Sequence, residues 1–245
     1  MMADLERSAT GIAGLDEMLH GGLIPGSIAL LQGAPGTGKT TLGVQFLVEG
    51  ARIGEPGLLV SFEQFPHTLH RDAESHGWDL PALEREGRLR VVFTSPEVLV
   101  ASLQSPTSPI SSAIRDLGVK RAVLDSVTHL QTITRDPVEL RSQHGLLING
   151  LRREGITSLL LSEDSGPDFV RSDRGRLAFA VDAVILLRYV EIDSVMNRAV
   201  AVLKMRGSDH DKTIRGFEIE RGGIQVQGAF VGREGLLSGT PRRAG

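Results

Sequence analysis

Cysteine is absent from all 245 residues. That excludes disulfides, thiolate-ligated zinc, iron–sulfur clusters and cysteine nucleophiles, and it agrees with a cytoplasmic location. Aromatic residues make up only 4%, with one Trp and one Tyr. Few side chains are therefore available as stacking platforms for a single-stranded nucleic acid. No run is long and apolar enough to span a bilayer, and residues 1–7 are charged without an apolar core, so neither a membrane span nor a signal peptide is expected. There is no Pro/Ser/Gly tract, charge block or internal repeat, which favours a single domain over 1–245. Net charge is only −3, so the chain as a whole is no electrostatic trap for nucleic acid.

What is present is a P-loop. Gly33, Ala34, Pro35, Gly36, Thr37, Gly38, Lys39 and Thr40 complete the pattern G-x-x-x-x-G-K-[ST]. The glycines let backbone N–H groups approach phosphate oxygens. Lys39 is expected to reach the β- and γ-phosphates of ATP, and the Thr40 hydroxyl to hold Mg2+. The context is the one such a loop needs. An apolar strand over 27–32 precedes it. A helix follows, with Leu42, Phe46 and Leu47 at helical spacing and its N-terminus facing the phosphates.

Along the chain, 10–19 reads as a short capped helix, with Gly21 and Gly22 ending it. Strands are expected at 57–63, 88–94, 120–126 and 156–162, and helices at 67–76, 80–86, 111–118 and 137–154. Residues 95–109 hold three prolines and read mostly as loop, with a short helix at 98–103. This alternation indicates a mostly parallel α/β sheet flanked by helices. A polar loop over 165–176 interrupts it. Strands at 183–189, 197–206, 214–220 and 224–226 then follow at short spacing, which implies antiparallel strands appended at the C-terminus.

Asp125 ends an apolar strand, the Walker B pattern, and is the expected second Mg2+ anchor; capping of the next element is the alternative. Glu63 is the expected catalytic base beside the γ-phosphate, provided its strand lies next to the P-loop strand. Its alternative role is to cap the helix after Pro66. His67, His70 and His76 lack the carboxylates that would complete a metal site and read as surface or capping residues. Trp78 reads as a core anchor.

The chain resembles the KaiC-like branch of the RecA superfamily. The resemblance rests on Thr10-Gly11-Ile12 with Gly14-Leu15-Asp16, Gly21-Gly22-Leu23, Phe62-Glu63, Gly77-Trp78-Asp79-Leu80, Leu124-Asp125-Ser126-Val127, Lys204-Met205-Arg206-Gly207-Ser208-Asp209-His210 and Ser238-Gly239-Thr240-Pro241. It implies a RecA-like P-loop fold and an ATPase that works as a homo-oligomeric ring, usually a hexamer, with ATP between neighbouring subunits. Lys39, Thr40 and Asp125 match the phosphate and Mg2+ positions, and Thr41 is placed with the nucleotide-binding residues. Glu63 matches the first of two acidic residues that activate the nucleophile. The second is Gln64 here, and an amide can orient water but cannot take its proton. Lys204 and Arg206 match residues that reach the next subunit's γ-phosphate. Without the resemblance they would read as a basic pair on a solvated strand. Ser208 and His210 match positions near the neighbour's nucleotide, and Ser75 a position near the base.

The leading reading is an oligomeric ATPase that couples ATP binding or slow hydrolysis to a conformational or signalling change read by a regulatory protein partner. Two-domain members autophosphorylate at a Ser–Thr pair; the matching positions here are Ala178 and Phe179, neither with a hydroxyl. A Ser/Thr kinase and a nucleic-acid-associated ATPase are the alternative functions. For the second, Arg171, Arg174 and Arg176 could line a pore, but pairing with Asp168 and Asp173 is the preferred reading, and no nucleic-acid partner is expected.

Overall fold

A computed structural model describes residues 6–163, 175–238 and 242–243. The strands of the main sheet are β1 (Ile28–Gly33), β2 (Gly57–Ser61), β3 (Leu89–Phe93), β4 (Arg121–Asp125), β5 (Thr157–Glu163), β6 (Ala183–Ile192), β7 (Val195–Met205), β8 (Arg215–Glu220) and β9 (Gly223–Ala229). They form one sheet in the order β3-β2-β4-β5-β1-β6-β7-β8-β9. From β3 to β6 all neighbours run parallel; from β6 to β9 they are antiparallel. This is the RecA-like α/β architecture with antiparallel C-terminal strands that the residue pattern implied.

The helices are α1 (Ala13–Met18), α2 (Lys39–Arg52), α3 (Pro66–Ser75), α4 (Leu80–Arg85), α5 (Pro96–Gln104), α6 (Pro109–Leu117), α7 (Pro137–Arg153) and α8 (Gly175–Ala180). Every residue of β1 and β2 is buried, because helices cover both faces. Phe46 and Leu47 of α2 pack with Leu31 and Leu159 on one face. Leu147 and Leu151 of α7 pack with Leu30 and Leu160 on the other. Among the described residues no helix is long and apolar enough to cross a membrane.

Two local readings are corrected. The proline-rich segment is largely helical rather than loop: Pro96 and Pro109 open α5 and α6, capped by the hydroxyls of Ser95 and Ser108. Proline has no N–H to lose in the first turn and its φ already suits a helix, so here it marks a start. Pro66 and Pro137 open α3 and α7 in the same way. The helix α1 starts at Ala13 without a side-chain cap. Asp16 instead folds back and accepts from Thr10 N, Thr10 Oγ1 and Gly11 N, which fixes the turn before the helix.

One buried cation ties the layers together. Arg121, at the start of β4, is 0% exposed. Its Nη1 donates to Ala9 O at 2.7 Å and Phe46 O at 3.0 Å, its Nε meets Glu55 at 2.5 Å, and its guanidinium lies over the Phe46 ring. The N-terminal segment, α2 and the loop before β2 are thus fastened to one strand end.

Candidate nucleotide site

The site is built at the C-terminal edge of the parallel strands. β1 stops at Gly33, and the chain turns through the P-loop into α2. Gly36 and Gly38 have φ of +78° and +100°, a region open to glycine and strained for other residues. A Cβ on Gly38 would also come 2.7 Å from Ile219 Cδ1 of β8. The loop is held from three sides. Thr37 Oγ1 donates to Ala34 O at 2.8 Å, and the Tyr189 hydroxyl on β6 donates to Gly36 O at 2.6 Å. Lys39 is buried, and its Nζ donates to Gly33 O at 2.9 Å and Ala34 O at 3.1 Å.

Thr40 and Asp125 come from β1's following helix and from β4, 85 residues apart in sequence, yet Thr40 Oγ1 donates to Asp125 Oδ2 at 2.7 Å. Asp125 does not cap the next element; Ser126 does that, accepting from Thr128 N. Burial pushes the Asp125 carboxyl above its usual range, opposed by the Thr40 hydrogen bond. Burial lowers the Lys39 amine, opposed by Glu163, Asp125 and Glu63. The donor set fits the groups a P-loop takes. Thr40 and Asp125 offer oxygen ligands, which suit a hard cation, and a cation would offset the cost of charging the buried carboxylate. The helix α2 opens at Gly38 with no side-chain acceptor on its first N–H groups, which leaves them for an anion.

Glu63 lies two residues beyond β2, in the loop before α3. The condition attached to it fails: β2 is separated from β1 by β4 and β5, because the crossovers interleave the strands. Glu63 reaches the site across another pair. Ser61 of β2 is in register with Asp125 of β4, so the loop after β2 rises beside the Asp125 end. Nor does Glu63 cap α3, which has no side-chain cap. Its carboxylate is hydrogen-bonded to His129 Nε2, on the turn after Asp125. The neighbouring Gln64 donates its N–H to Ser61 Oγ at 3.0 Å.

The other sequence-expected residues divide. Thr41 lines a narrow cleft between α2 and α3, together with Thr40, Asp72, His76 and Trp78. Ser75 ends α3, exposed, its hydroxyl donating to Asp72 O at 2.6 Å. Trp78 is partly buried, packs against the core and tilts against His76. His70 meets Glu84 at 2.9 Å, and among the described residues no three His, Asp or Glu side chains come together as a metal site.

Lys204 and Arg206 lie at the opposite edge of the sheet. Lys204 pairs with Val184 at the start of β6. The Arg206 N–H donates to Asp182 O, level with Ile28, whereas the P-loop begins at Gly33. Five strand residues separate those levels, roughly 16 Å. Both side chains turn the same way, as their spacing implies. Lys204 Nζ donates to Ala178 O at 2.8 Å and Val181 O at 2.7 Å, and Arg206 Nη2 to Phe179 O at 2.5 Å. Ser208 Oγ accepts from Arg7 at 2.6 Å, and His210 follows on the same loop with a buried Nδ1. The arginines at 171 and 174, Asp168, Asp173 and the 239–241 motif lie outside the described residues, as does the side chain of Arg176.

Three neighbours of the site were not singled out from sequence. Glu163, at the end of β5, is in register with Gly33. Its signal was the same as that of Asp125, an acid ending an apolar strand, one residue beyond the expected boundary. Tyr189 and His129 carry no local signal; only the pairing of β6 with β1 and the turn after Asp125 bring them in.

Comparison with known proteins agrees with this geometry. A family model described as the KaiC ATPase matches residues 8–229. The circadian clock oscillator protein KaiC of Thermostichus vulcanus is 37% identical over 97% of this chain and 45% of its own length. The circadian clock protein KaiC3 of a Synechocystis strain is 34% identical over 96% of this chain and 46% of its own. The chain thus spans less than half the length of these curated KaiC relatives. A UPF0273 protein of Thermotoga maritima is 35% identical over 91% of this chain and 96% of its own. With a P-loop of this geometry and a family match over most of its length, the chain belongs to the KaiC family of RecA-like ATPases.

Proposed function

We propose that this protein hydrolyses ATP slowly at interfaces between copies of itself in a closed ring, and that the nucleotide state of the ring is read by a protein partner. Within one copy, backbone amides of the Gly33–Thr40 loop and Lys39 bind the phosphates, with Thr41 beside them and Ser75 near the base. Thr40 and Asp125 hold Mg2+, which neutralises charge on the phosphates when bound. Glu63 orients the attacking water and accepts its proton. Lys204 and Arg206 of the adjacent copy stabilise the charge that develops on the transferred phosphoryl group, with Ser208 and His210 on the same approaching edge.

The placement of Lys204 and Arg206 carries this reading. Two cations that lie at the far edge of the sheet from their own P-loop cannot serve it, yet a neighbour stacked edge to edge can present them. The family membership supports the same arrangement. Nothing at 178 or 179 favours the autokinase alternative, since neither Ala178 nor Phe179 offers a hydroxyl.

The test is Mg·ATP turnover as a function of protein concentration, for wild type and Arg206→Ala. Specific activity is expected to rise with concentration, and Arg206→Ala to lose up to about 10³-fold while still binding nucleotide. Concentration-independent activity, undiminished in the variant, rules the trans arrangement out.

A further inference from the structure

The loop after β7 carries Arg206, Ser208 and His210, and the N-terminal segment lies against it. Arg7, half-buried, makes the closest contact. Its Nη2 donates to Ser208 Oγ at 2.6 Å, across 201 residues of sequence. Its Nη1 donates to Leu19 O at 3.4 Å and Gly22 O at 3.3 Å, in the turn that follows α1. Ser208 Oγ passes its own hydrogen to Asp209 O at 2.8 Å, so the hydroxyl is held from both sides. A second tie lies just beyond. The Asp211 N–H donates to Met18 O at 2.9 Å, and Arg215 joins Asp211, at 2.8 Å, to Glu17, at 2.9 Å.

The base on which Arg7 stands is itself fixed. Ser8 and Leu23 exchange both backbone hydrogen bonds, at 2.8 and 2.9 Å. Ala9 O accepts from Arg121, and Gly11 O accepts from Gln45 Nε2 of α2 at 3.0 Å. The guanidinium suits the place, because its planar fork presents several donors at fixed angles and can serve two carbonyls and one hydroxyl together. Closing the turn after α1 would need only the contacts to Leu19 and Gly22. The shortest of the three bonds goes instead to the distant hydroxyl, and a charged donor makes it stronger than a neutral one. A loop ordered in advance spends less of its contact energy on ordering when it meets a partner.

We propose that Arg7 is a positioning residue for the reaction in the adjacent copy: through Ser208 it holds the loop of residues 206–210 in the form that is offered to the neighbour. This deepens, and rests on, the trans arrangement given under Proposed function. Arg7 acts through Ser208 and not on the nucleotide. Its removal leaves the P-loop, Asp125 and Glu63 of the same copy intact and degrades only what that copy lends to the next.

Complementation in mixed assemblies tests this. Arg7→Ala is expected to bind nucleotide like wild type and to lose at least about tenfold in kcat, with KM little changed. Arg7→Lys, which keeps the charge but not the fork, is expected to fall less. Arg7→Ala keeps its base but lends a loosened loop, whereas Glu63→Gln lacks the base but lends an intact loop. The two are co-expressed with different tags, and assemblies carrying both tags are purified. Their Mg·ATP turnover is expected to exceed that of either parent, because some interfaces then pair an intact Glu63 with an intact loop. Arg206→Ala with Glu63→Gln should recover in the same way, and Arg7→Ala with Arg206→Ala, both faulty in the loop, should not. Recovery with Arg206→Ala but not with Arg7→Ala overturns the positioning role and leaves the trans ATPase standing. So does wild-type turnover in Arg7→Ala, or weakened nucleotide binding in both Arg7 variants. No assembly carrying both tags, or no recovery in either pairing with Glu63→Gln, overturns the positioning role and the trans arrangement together.

Discussion

His129 Nε2 is hydrogen-bonded to the carboxylate of Glu63, joining the turn after β4 to the loop after β2. Neither residue is near the other in sequence. The register of β2 with β4 brings their loops side by side. The neighbour of Glu63 is the amide Gln64, and the side chain that holds the Glu63 carboxylate is the His129 imidazole.

Glu63→Gln is expected to keep nucleotide binding and lose about 10²–10⁴-fold in turnover, the range a proton-accepting group supplies. His129→Ala misplaces that carboxylate without removing it. Its kcat is expected to fall by up to about 100-fold with KM little changed, and His129→Asn to recover part of the loss. Steady-state kinetics on the three variants separate these outcomes; a His129→Ala enzyme with wild-type kcat removes the positioning role.

The 2.7 Å contact between Thr40 and Asp125 predicts a metal-specific defect. Asp125→Asn should bind ADP with an affinity that no longer responds to added Mg2+, and Thr40→Ala should show the same change in milder form. Titration calorimetry with and without Mg2+ checks this. An Asp125→Asn protein with the full Mg2+ response places the metal elsewhere.

Arg121→Met should lower stability. The substitution fills much of the volume but strands Ala9 O, Phe46 O and the Glu55 carboxylate. Glu55 is partly exposed, so the main loss is that of buried carbonyls left without a donor, about 1–3 kcal/mol each. A urea unfolding curve reads the loss, and restoration by Glu55→Gln in the same background would trace part of it to the uncompensated carboxylate.

Asp211 gives the stability a pH dependence on the acid side. Backbone and side-chain hydrogen bonds from Thr213, aided by Arg215, hold its carboxyl down at about 2. A depressed carboxylate stabilises the fold above its unfolded value, 3.8, and that contribution is lost as pH falls through the folded value. The gap in urea midpoint between wild type and Asp211→Asn should therefore be widest above about pH 5 and narrow toward pH 2. A gap that widens on acidification contradicts the assignment.

The amino-acid sequence alone determined the chemistry of one half of the site. The P-loop is contiguous, so its backbone geometry follows from glycines at fixed offsets, and Asp125 is marked by the apolar strand it ends. Alternation of strands and helices likewise gave the parallel core, because burial on both faces leaves continuous apolar runs. Proline misled at 95–109, since the same residue that breaks a helix interior also opens a helix. What only the tertiary structure decided was which strand ends meet. The order β2-β4-β5-β1 separates Glu63 from the P-loop strand by two others and still delivers it to Asp125, and with it His129. The pairing of β6 with β1 brings Tyr189 onto Gly36 and carries Lys204 and Arg206 to the far edge. These are long-range pairings, set by how the sheet closes around its helices, and no local spacing encodes them.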